Sequence, residues 1–181
     1  MSLVDKATQF IALKHEGQYR RGLEIPYSTH LFGVARILKK AKYRENVVVA
    51  GLLHDIFEDS DATEQEVKEK FGEEILTLVK AVSEPDKSIP WKQRKQQAID
   101  EIRCLEEEEL AIALAEKIQN VNSMTYVIER LGEQAWNSFS ANKHEQHWFY
   151  EHYFEETKKH CPDAKLLPEF EESLNKLFSL T

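Results

Sequence analysis

The chain has 181 residues, enough for one hydrophobic core and little for a second, so we expect a single domain over residues 1–181. Its formal net charge is −8, from 24 Lys and Arg residues against 32 Asp and Glu residues. This balance excludes a broad electrostatic surface for nucleic acid or anionic membrane, and an anionic substrate then needs a local cationic site.

Neither a membrane segment nor a disulfide framework is predicted. The longest strongly apolar run, Val47 to Leu53, is far shorter than a membrane span, and the polar N-terminal residues do not resemble a signal peptide. We therefore predict a cytoplasmic protein with no membrane partner. Cys104 and Cys161 form no CxxC metal motif, and we expect them to be ordinary side chains.

Hydrophobic residues recur at helical spacing along the chain, and strand-like alternation is hard to find. The sequence therefore predicts an all-α fold. A first helix carries Ala7 and Ile11 and ends in the stretch 17–26, which contains glycine and proline. A second helix is predicted to begin near Thr29 or His30, with Thr29 as the candidate N-cap. A third runs from about Glu45 to the His54-Asp55 pair.

The later helices are marked by a capping pattern and by apolar spacing. Thr63 with Glu66 three residues later is a capping box, and the helix it opens should continue past a turn at Gly72. We predict a loop over residues 83–90, which contain two prolines. Three further helices are predicted from these apolar residues at helical spacing: Leu110, Leu114, Ile118 and Val121; Phe149 and Tyr153; Phe170, Leu174 and Leu177.

The His54-Asp55 pair ends an apolar helix and is followed at once by Glu58 and Asp59. Burying charges beside a core is costly unless they are paired or bind a cation. If the second and third helices form an antiparallel hairpin, His30 lies about 16 Å and His54 about 14 Å from the turn, at roughly 1.5 Å per residue. The two imidazoles then lie at about the same height along the paired helices. Imidazoles with carboxylates are ligands for a divalent ion such as Mn, Fe or Zn.

A polar stripe on a later helix adds further candidates. Ala113, Glu116, Lys117 and Asn120 fall on one side of that helix, where they offer a carboxylate, an ammonium and an amide to one spot. The alternative interpretation of such a stripe is an ordinary exposed polar face. The spacing alone does not choose between the two.

A family resemblance runs through the chain. Five segments occur in the order seen in the hydrolase domain of RelA/SpoT enzymes: residues 15–21, 26–30, 52–59, 63–72 and 114–120. The stretch Ile89 to Gln96 and the aromatic helix Trp148 to Phe154 look more like the stand-alone small alarmone hydrolases, the Mesh1-like proteins. The resemblance covers about residues 5–178. It implies an all-helical HD domain in which a single Mn²⁺ serves removal of pyrophosphate from the 3′ position of ppGpp or pppGpp.

The resemblance also implies roles for individual residues at the metal. The metal ligands it implies are His30, His54, Asp55 and Glu116. Glu58 and Asp59 would orient or deprotonate the attacking water, because the cation lowers the pKa of water and a carboxylate accepts its proton.

Four polar residues are implied to bind the substrate. Arg20 and Arg21 would meet the nucleotide, since planar guanidinium groups suit both phosphate binding and stacking on a base. Lys117 and Asn120 would line the same pocket. The expected partner is therefore a small-molecule nucleotide, while the sequence does not specify an oligomeric state.

Three positions depart from the family pattern. Glu116 stands where the family has aspartate, Leu31 where it usually has proline, and Gln119 where histidine or tyrosine is common. The extra methylene of Glu116 moves its carboxylate by about one bond length, which matters where ligand distances are set to about 0.2 Å.

The remaining histidines give no second cluster. His15 either packs near the end of its helix or reaches the site, and both alternatives stay open. Four others are predicted to be surface or packing residues, because no carboxylates are patterned around them: His144, His147, His152 and His160.

Three functions remain open at this point. The favoured one is a pyrophosphohydrolase for a guanosine 3′-diphosphate alarmone. A second keeps the metal and changes the substrate to another phosphorylated nucleotide, including the 2′-phosphate of NADPH. In the third, Glu116 fails to complete the site, and the protein is a non-catalytic nucleotide sensor or a partner-binding helical module.

Overall fold

α-Helices account for nearly all the regular structure of this protein, whose computed structural model describes residues 1–20, 23–84 and 88–180. Within these residues the helices are α1 Leu3–Lys14, α2 Ser28–Lys40, α3 Glu45–Leu53, α4 Ile56–Asp59, α5 Glu64–Phe71, α6 Glu73–Val82, α7 Trp91–Glu101, α8 Glu107–Leu131, α9 Lys143–His160 and α10 Leu167–Ser179. Short 3₁₀ helices span Ile102–Cys104 and Gly132–Ser138. Strand-like pairing in the described residues is limited to one antiparallel bridge between Tyr19 and Pro26. The predicted all-α fold is confirmed.

Local sequence signals set several helix ends. The Thr63 side chain accepts from the Glu66 backbone N–H and Glu66 accepts in return, so the predicted capping box is present at the start of α5. Gly72 ends α5 and precedes α6 with a φ of 91°, a left-handed conformation that suits glycine. Ser2 and Asp5 form a similar capping box on α1.

Two local features differ from the sequence-based expectations. Helix α2 begins at Ser28, and Thr29 does not cap it: the Thr29 hydroxyl donates to the Pro26 carbonyl at 2.7 Å instead. Helix α4 was not predicted, because four residues are too few for hydrophobic periodicity to appear.

Helix α3 lies at the centre of the molecule. Each residue from Val47 to Leu53 is buried, as expected of a helix that is apolar on all sides. Helices α1, α2, α6 and α8 pack against it. Gly51 allows α2 to approach closely, because a Cβ at this position would lie 2.4 Å from Leu38 Cδ1. The central helix thus places His54 and Asp55 directly after its C-terminal end.

Two further sequence predictions concern the thiols and the membrane. Cys104 is exposed and Cys161 is half-buried, and both are free thiols. Across residues 1–20, 23–84 and 88–180, no helix combines the length and the apolar character needed to cross a membrane.

Candidate metal centre and nucleotide pocket

Two helices bring the predicted histidines together. His30 lies in the first turn of α2, and His54 and Asp55 directly follow α3. The Nε2 atoms of the two imidazoles are 3.2 Å apart. Asp55 Oδ2 lies 3.1 Å from His54 Nε2 and 3.6 Å from His30 Nε2. These three residues, called the His–Asp cluster below, form the arrangement expected from an antiparallel pairing of α2 and α3.

The hydrogen bonds of the imidazoles direct both Nε2 atoms into the cluster. His54 Nδ1 donates to the Gly51 carbonyl at 2.9 Å, and His30 Nδ1 donates to Gln119 Oε1 at 2.9 Å. Since a carbonyl oxygen only accepts, each Nδ1 holds a hydrogen, and Nε2 is the ring nitrogen that each histidine offers to a cation once Nε2 carries no proton. Two imidazole nitrogens and a carboxylate oxygen, all within 4.8 Å of one another, are a donor set suited to a divalent metal ion. The residues present therefore fit such an ion.

Burial and charge shift the pKa values within the cluster in opposite directions. Burial, reinforced by His54, lowers the pKa of His30 to about 4. Burial also disfavours charge on His54, but the Asp55 carboxylate outweighs it and raises the pKa of His54 to about 9. Burial likewise opposes ionisation of Asp55, and the His54 imidazole beside it holds the Asp55 pKa well below its usual range. A metal ion competes with protons for the same nitrogen and oxygen atoms.

A set of carboxylates that includes Asp55 adjoins the His–Asp cluster. One carboxylate oxygen from each of Asp55, Glu58 and Asp59 lies within 4.8 Å of the others. Glu58 accepts from the Glu84 backbone N–H at 2.7 Å, and the Asp59 carbonyl accepts from Gln18 Nε2 at 2.6 Å. Burial, followed by the nearby Asp55 charge, raises the pKa of Glu58 to about 8. The carboxylates predicted to act on water thus lie beside the predicted ligands.

Tyr27 is a site residue to which sequence reasoning gave no role. Its hydroxyl donates to Asp55 Oδ2 and lies 3.4 Å from Asp59 Oδ2. Burial, together with the Asp55 charge, raises the pKa of Tyr27, so the hydroxyl keeps its proton. The available signal was its position in the 26–30 segment that resembles the family, three residues before His30.

The polar stripe on α8 faces the interior and not solvent. Lys117 is buried, with 8% of its surface exposed, and its Nζ pairs with Glu116 Oε2. Asn120 Nδ2 donates to Glu116 Oε1, and Asn120 Oδ1 accepts from Arg20 Nη2 at 2.9 Å. Burial works against ionisation of Glu116, but Lys117 outweighs it and lowers the pKa of Glu116. The exposed-face interpretation of this stripe is therefore wrong.

Glu116 itself is engaged elsewhere in the pocket. Among the described residues, the groups of donor atoms that lie within 4.8 Å of one another do not include its carboxylate. Both of its oxygens are occupied by Lys117 and Asn120. Its role as a metal ligand stays a prediction.

The His–Asp cluster lines a cavity of about 730 Å³. Cationic side chains in its wall are Arg20, Arg94, Lys95 and Lys117, and aromatic ones are Tyr19, Tyr27, Trp91, Phe139, Phe149 and Tyr150. Arg94 Nη1 lies 2.5 Å from Glu84 Oε2, and Lys95 pairs with the other oxygen of Glu84. Sequence reasoning missed Arg94 and Lys95 individually, although both fall in the Ile89 to Gln96 stretch that resembled the small alarmone hydrolases. Arg21, the second predicted nucleotide-binding arginine, lies outside the described residues.

The structure decides between the two alternatives for His15 and shows the other four histidines at the surface, as predicted. His15 is buried, its Nδ1 lies 2.8 Å from Gln18 Oε1, and its ring centroid is 5.3 Å from that of Tyr27. It therefore packs behind the site and contacts it through Tyr27. The remaining four are exposed: His144, His147, His152 and His160.

The fold and the His–Asp cluster agree with the comparison of this chain with known families. The model of the HD-domain family matches residues 7–146. The chain therefore belongs to the HD-domain family. This confirms the family assignment made from the five ordered segments.

Similar proteins narrow the resemblance further. The mouse protein named guanosine-3′,5′-bis(diphosphate) 3′-pyrophosphohydrolase MESH1 is 37% identical over 122 residues, which are 66% of this chain and 68% of that protein. MESH1 of Xenopus tropicalis is 31% identical over 139 residues, 75% of each chain. The bifunctional (p)ppGpp synthase/hydrolase SpoT of Escherichia coli is 39% identical over 89 residues, which are 49% of this chain and 12% of SpoT.

Two solved structures are similar over most of the chain. The crystal structure of lmo0812 from Listeria monocytogenes has a TM-score of 0.73 at 33% identity, and covers 82% of this chain and 96% of its own. A structure described as a metazoan ortholog of SpoT that hydrolyzes ppGpp has a TM-score of 0.77 at 25% identity, and covers 99% and 95%. The resemblance to RelA/SpoT-type and Mesh1-like proteins is thus found in both sequence and fold.

Proposed function

We propose that this protein is a metal-dependent hydrolase of ppGpp and pppGpp that releases pyrophosphate from the 3′ position. One observation carries the proposal: the donor atoms of His30, His54 and Asp55 converge beside Glu58 and Asp59 in a cavity whose wall also contains arginine and lysine side chains. The MESH1 relatives are named guanosine-3′,5′-bis(diphosphate) 3′-pyrophosphohydrolases, which supports the choice of substrate.

The His–Asp cluster would hold one divalent cation, which we propose to be Mn²⁺, with Glu116 as a further ligand. A cation bound there supplies Lewis-acid chemistry, since it acidifies water and screens phosphate charge. Binding through Glu116 requires its carboxylate to give up part of its pairing with Lys117 or Asn120. The ammonium of Lys117 is then available to a phosphate of the substrate.

Glu58 and Asp59 act on the attacking water in this proposal. A carboxylate accepts the proton that water loses as its oxygen attacks phosphorus, and general-base catalysis requires such a group within hydrogen-bond reach. The bond between phosphorus and the ribose O3′ breaks, O3′ takes up a proton, and GDP and pyrophosphate are the products from ppGpp. The Tyr27 hydroxyl donates to the Asp55 carboxylate and lies close to the Asp59 carboxylate. It therefore fixes the position of one carboxylate relative to the other.

Cationic and amide side chains bind the nucleotide. Arg20 and Arg21 meet the base and phosphates, and Lys117 and Asn120 contact the same part of the substrate, as the family resemblance implies. Arg20 already bonds Asn120 at 2.9 Å and lies 5.8 Å from the centre of the Tyr27 ring, which supports a shared role.

Arg94 and Lys95 extend this cationic surface along the cavity. Both are only 16% exposed and are paired with Glu84. A polyphosphate entering the cavity offers them a second anion, and arginine binds phosphate in a bidentate manner. We expect these two residues to bind the phosphate that lies farther from the cluster.

We further propose that residues 1–181 act as a single domain in the cytoplasm, with a small-molecule nucleotide as the partner. The family match over residues 7–146 and the continuous packing of α8 against α10 support one domain.

The decisive experiment incubates Mn²⁺-loaded protein with ppGpp, NADPH and simple nucleotides side by side. We expect GDP and pyrophosphate from ppGpp, and loss of this activity in His54→Ala with helicity retained. His152→Ala, at an exposed histidine, is the matched control and should keep the wild-type rate. Release of phosphate from NADPH but no pyrophosphate from ppGpp would assign a different substrate. No turnover of any nucleotide by folded, Mn²⁺-loaded protein would leave a binding module as the better description.

A further inference from the structure

The tautomer of His30 is set by a residue from another helix. His30 Nδ1 lies 2.9 Å from Gln119 Oε1, and because an amide oxygen only accepts, Nδ1 carries the hydrogen. The lone pair therefore resides on Nε2, the atom that lies 3.2 Å from His54 Nε2. The direction in which His30 presents its lone pair depends on an amide of α8.

His54 obtains the same arrangement from its own helix. Its Nδ1 donates at 2.9 Å to the carbonyl of Gly51, a main-chain group three residues earlier. His30 lies in the first turn of α2, where the carbonyl three residues earlier, that of Tyr27, accepts from the His30 backbone N–H at 2.9 Å. The His30 ring therefore takes its acceptor from across the α2–α8 contact.

Gly33 provides the space that Gln119 occupies. It lies one turn after His30 on the same side of α2. A Cβ at position 33 would be 2.6 Å from Gln119 Cγ and 2.7 Å from Gln119 Nε2, closer than real side chains approach. The φ of Gly33 is not positive, so the close approach of Gln119 is what requires glycine here.

We propose that Gln119, seated against Gly33, is a positioning residue that fixes the tautomer and ring orientation of His30 and thereby sets the affinity of the His–Asp cluster for its cation. This inference rests on the metal centre of the proposed function. Outer partners of metal-binding histidines generally fix the ring and raise its basicity, and their loss weakens metal binding by about 10- to 100-fold.

The first test reads the tautomer directly, in metal-free protein. Long-range ¹H–¹⁵N correlation spectra at neutral pH distinguish a ring with hydrogen on Nδ1 from one with hydrogen on Nε2. Wild-type His30 should show the Nδ1–H form. Gln119→Leu, which keeps the approximate size of the side chain and removes its acceptor, should shift His30 toward a mixture of both forms.

The second test measures Mn²⁺ binding by calorimetry in the same proteins. Gln119→Leu should bind Mn²⁺ about 10- to 100-fold more weakly than wild type. Gln119→Glu keeps an acceptor oxygen, and we expect it to bind Mn²⁺ more tightly than Gln119→Leu by about tenfold or more, as a rescue by a conservative change. Asn122→Leu changes an exposed amide of the same helix, and should alter neither the tautomer nor the affinity.

Gly33→Ala tests the contact between Gln119 and Gly33 without changing His30 or Gln119. It should displace Gln119 and reproduce both effects of Gln119→Leu, although alanine favours a helix more than glycine does. If Gln119→Leu fails to fold, Gly33→Ala still tests whether the position of Gln119 controls the His30 tautomer. If folded Gly33→Ala kept the wild-type His30 tautomer and the wild-type Mn²⁺ affinity, the role assigned to the contact between Gly33 and Gln119 would be overturned.

An unchanged His30 tautomer in Gln119→Leu would overturn the inference, as would a loss of Mn²⁺ affinity smaller than about tenfold. Neither readout uses ppGpp. Absence of ppGpp hydrolysis would therefore defeat the proposed substrate while leaving these results unaffected, and the two failures are distinguishable.

Discussion

Side chains from distant parts of the sequence hold the donor atoms of the cavity in place. Asp55 is oriented by the Tyr27 hydroxyl, and His30 by the Gln119 amide. Lys117 and Asn120 in turn occupy both oxygens of Glu116. Each of these contacts joins a predicted functional group to the polar end of a second side chain. They are therefore suited to conservative substitutions.

Tyr27→Phe removes one hydroxyl from this network. The Asp55 carboxylate loses a hydrogen bond, and we expect Mn²⁺ affinity and ppGpp hydrolysis to fall by about tenfold while the fold is kept. Calorimetry and a pyrophosphate-release assay measure the two effects. Tyr126→Phe is the matched control, since it removes an exposed tyrosine hydroxyl, bonded to Arg130 at 2.6 Å, outside the cavity. Equal values for wild type and Tyr27→Phe would contradict the assigned role.

Glu116→Gln tests the pairing with Lys117 in the absence of metal. The ammonium of Lys117 is buried, and removing the charge of its partner should lower the free energy of unfolding by about 3 kcal/mol. Urea unfolding in the presence of a chelator measures this change. The double variant Glu116→Gln with Lys117→Met removes the unpaired charge as well, and should recover part of the loss. Stability within about 0.5 kcal/mol of wild type in the single variant would refute the pairing.

At the level of the helices, the site depends on the close packing of α2, α3 and α8. Helix α3 is buried on all sides and is followed directly by His54, whereas α2 contributes His30 and α8 contributes Gln119. Two glycines permit these approaches, Gly51 between α3 and α2 and Gly33 between α2 and α8. The spacing between helices is thus coupled to the geometry of the cluster.

Gly51→Ala should disturb the α2–α3 contact. The new Cβ would lie 2.4 Å from Leu38 Cδ1, and such overpacking typically lowers the free energy of unfolding by about 1–3 kcal/mol. Chemical denaturation of Gly51→Ala, Leu38→Ala and the double variant forms a thermodynamic cycle. Because a smaller residue at 38 makes room for the added methyl, the double variant should be more stable than the sum of the single effects predicts. Simple additivity would contradict a direct clash.

For the whole molecule, the proposed function makes the cation a link between folding and activity. The donors come from α2 and from the residues directly after α3, and the cavity wall adds α4, α7, α8 and α9, so unfolding disperses the entire site. A ligand that binds only the folded state stabilises it in proportion to the logarithm of its concentration over Kd. Metal binding should therefore be visible as thermal stability.

Mn²⁺ at 100 times its Kd should raise the free energy of unfolding by about 2.7 kcal/mol. Thermal unfolding monitored by circular dichroism, with and without chelator, measures the difference. Chelation should also stop ppGpp hydrolysis, and added Mn²⁺ should restore it. His54→Ala should lose the stabilisation, and exposed His152→Ala should keep it. A melting temperature that does not respond to Mn²⁺ in wild type would contradict a metal site in the His–Asp cluster.

The sequence by itself determined the helical fold, the family and the proximity of His30 to His54 and Asp55. Helical periodicity and the Thr63 capping box are local signals, and local signals persist in the folded chain. His54 and Asp55 adjoin in the sequence, and pairing of two successive helices was enough to bring His30 to them. The HD-domain match confirmed the family that the five ordered segments indicated.

Only the tertiary structure decided which partners the polar side chains take. Lys117 is buried, Glu116 is held by Lys117 and Asn120, and Tyr27 reaches Asp55, although helical spacing alone permits an exposed stripe on α8. The physical reason is that burial and hydrogen bonding at α8 depend on how α2, α3 and α9 pack around it. Periodicity records the face of a helix, whereas the contacts across that face are set by residues tens of positions away.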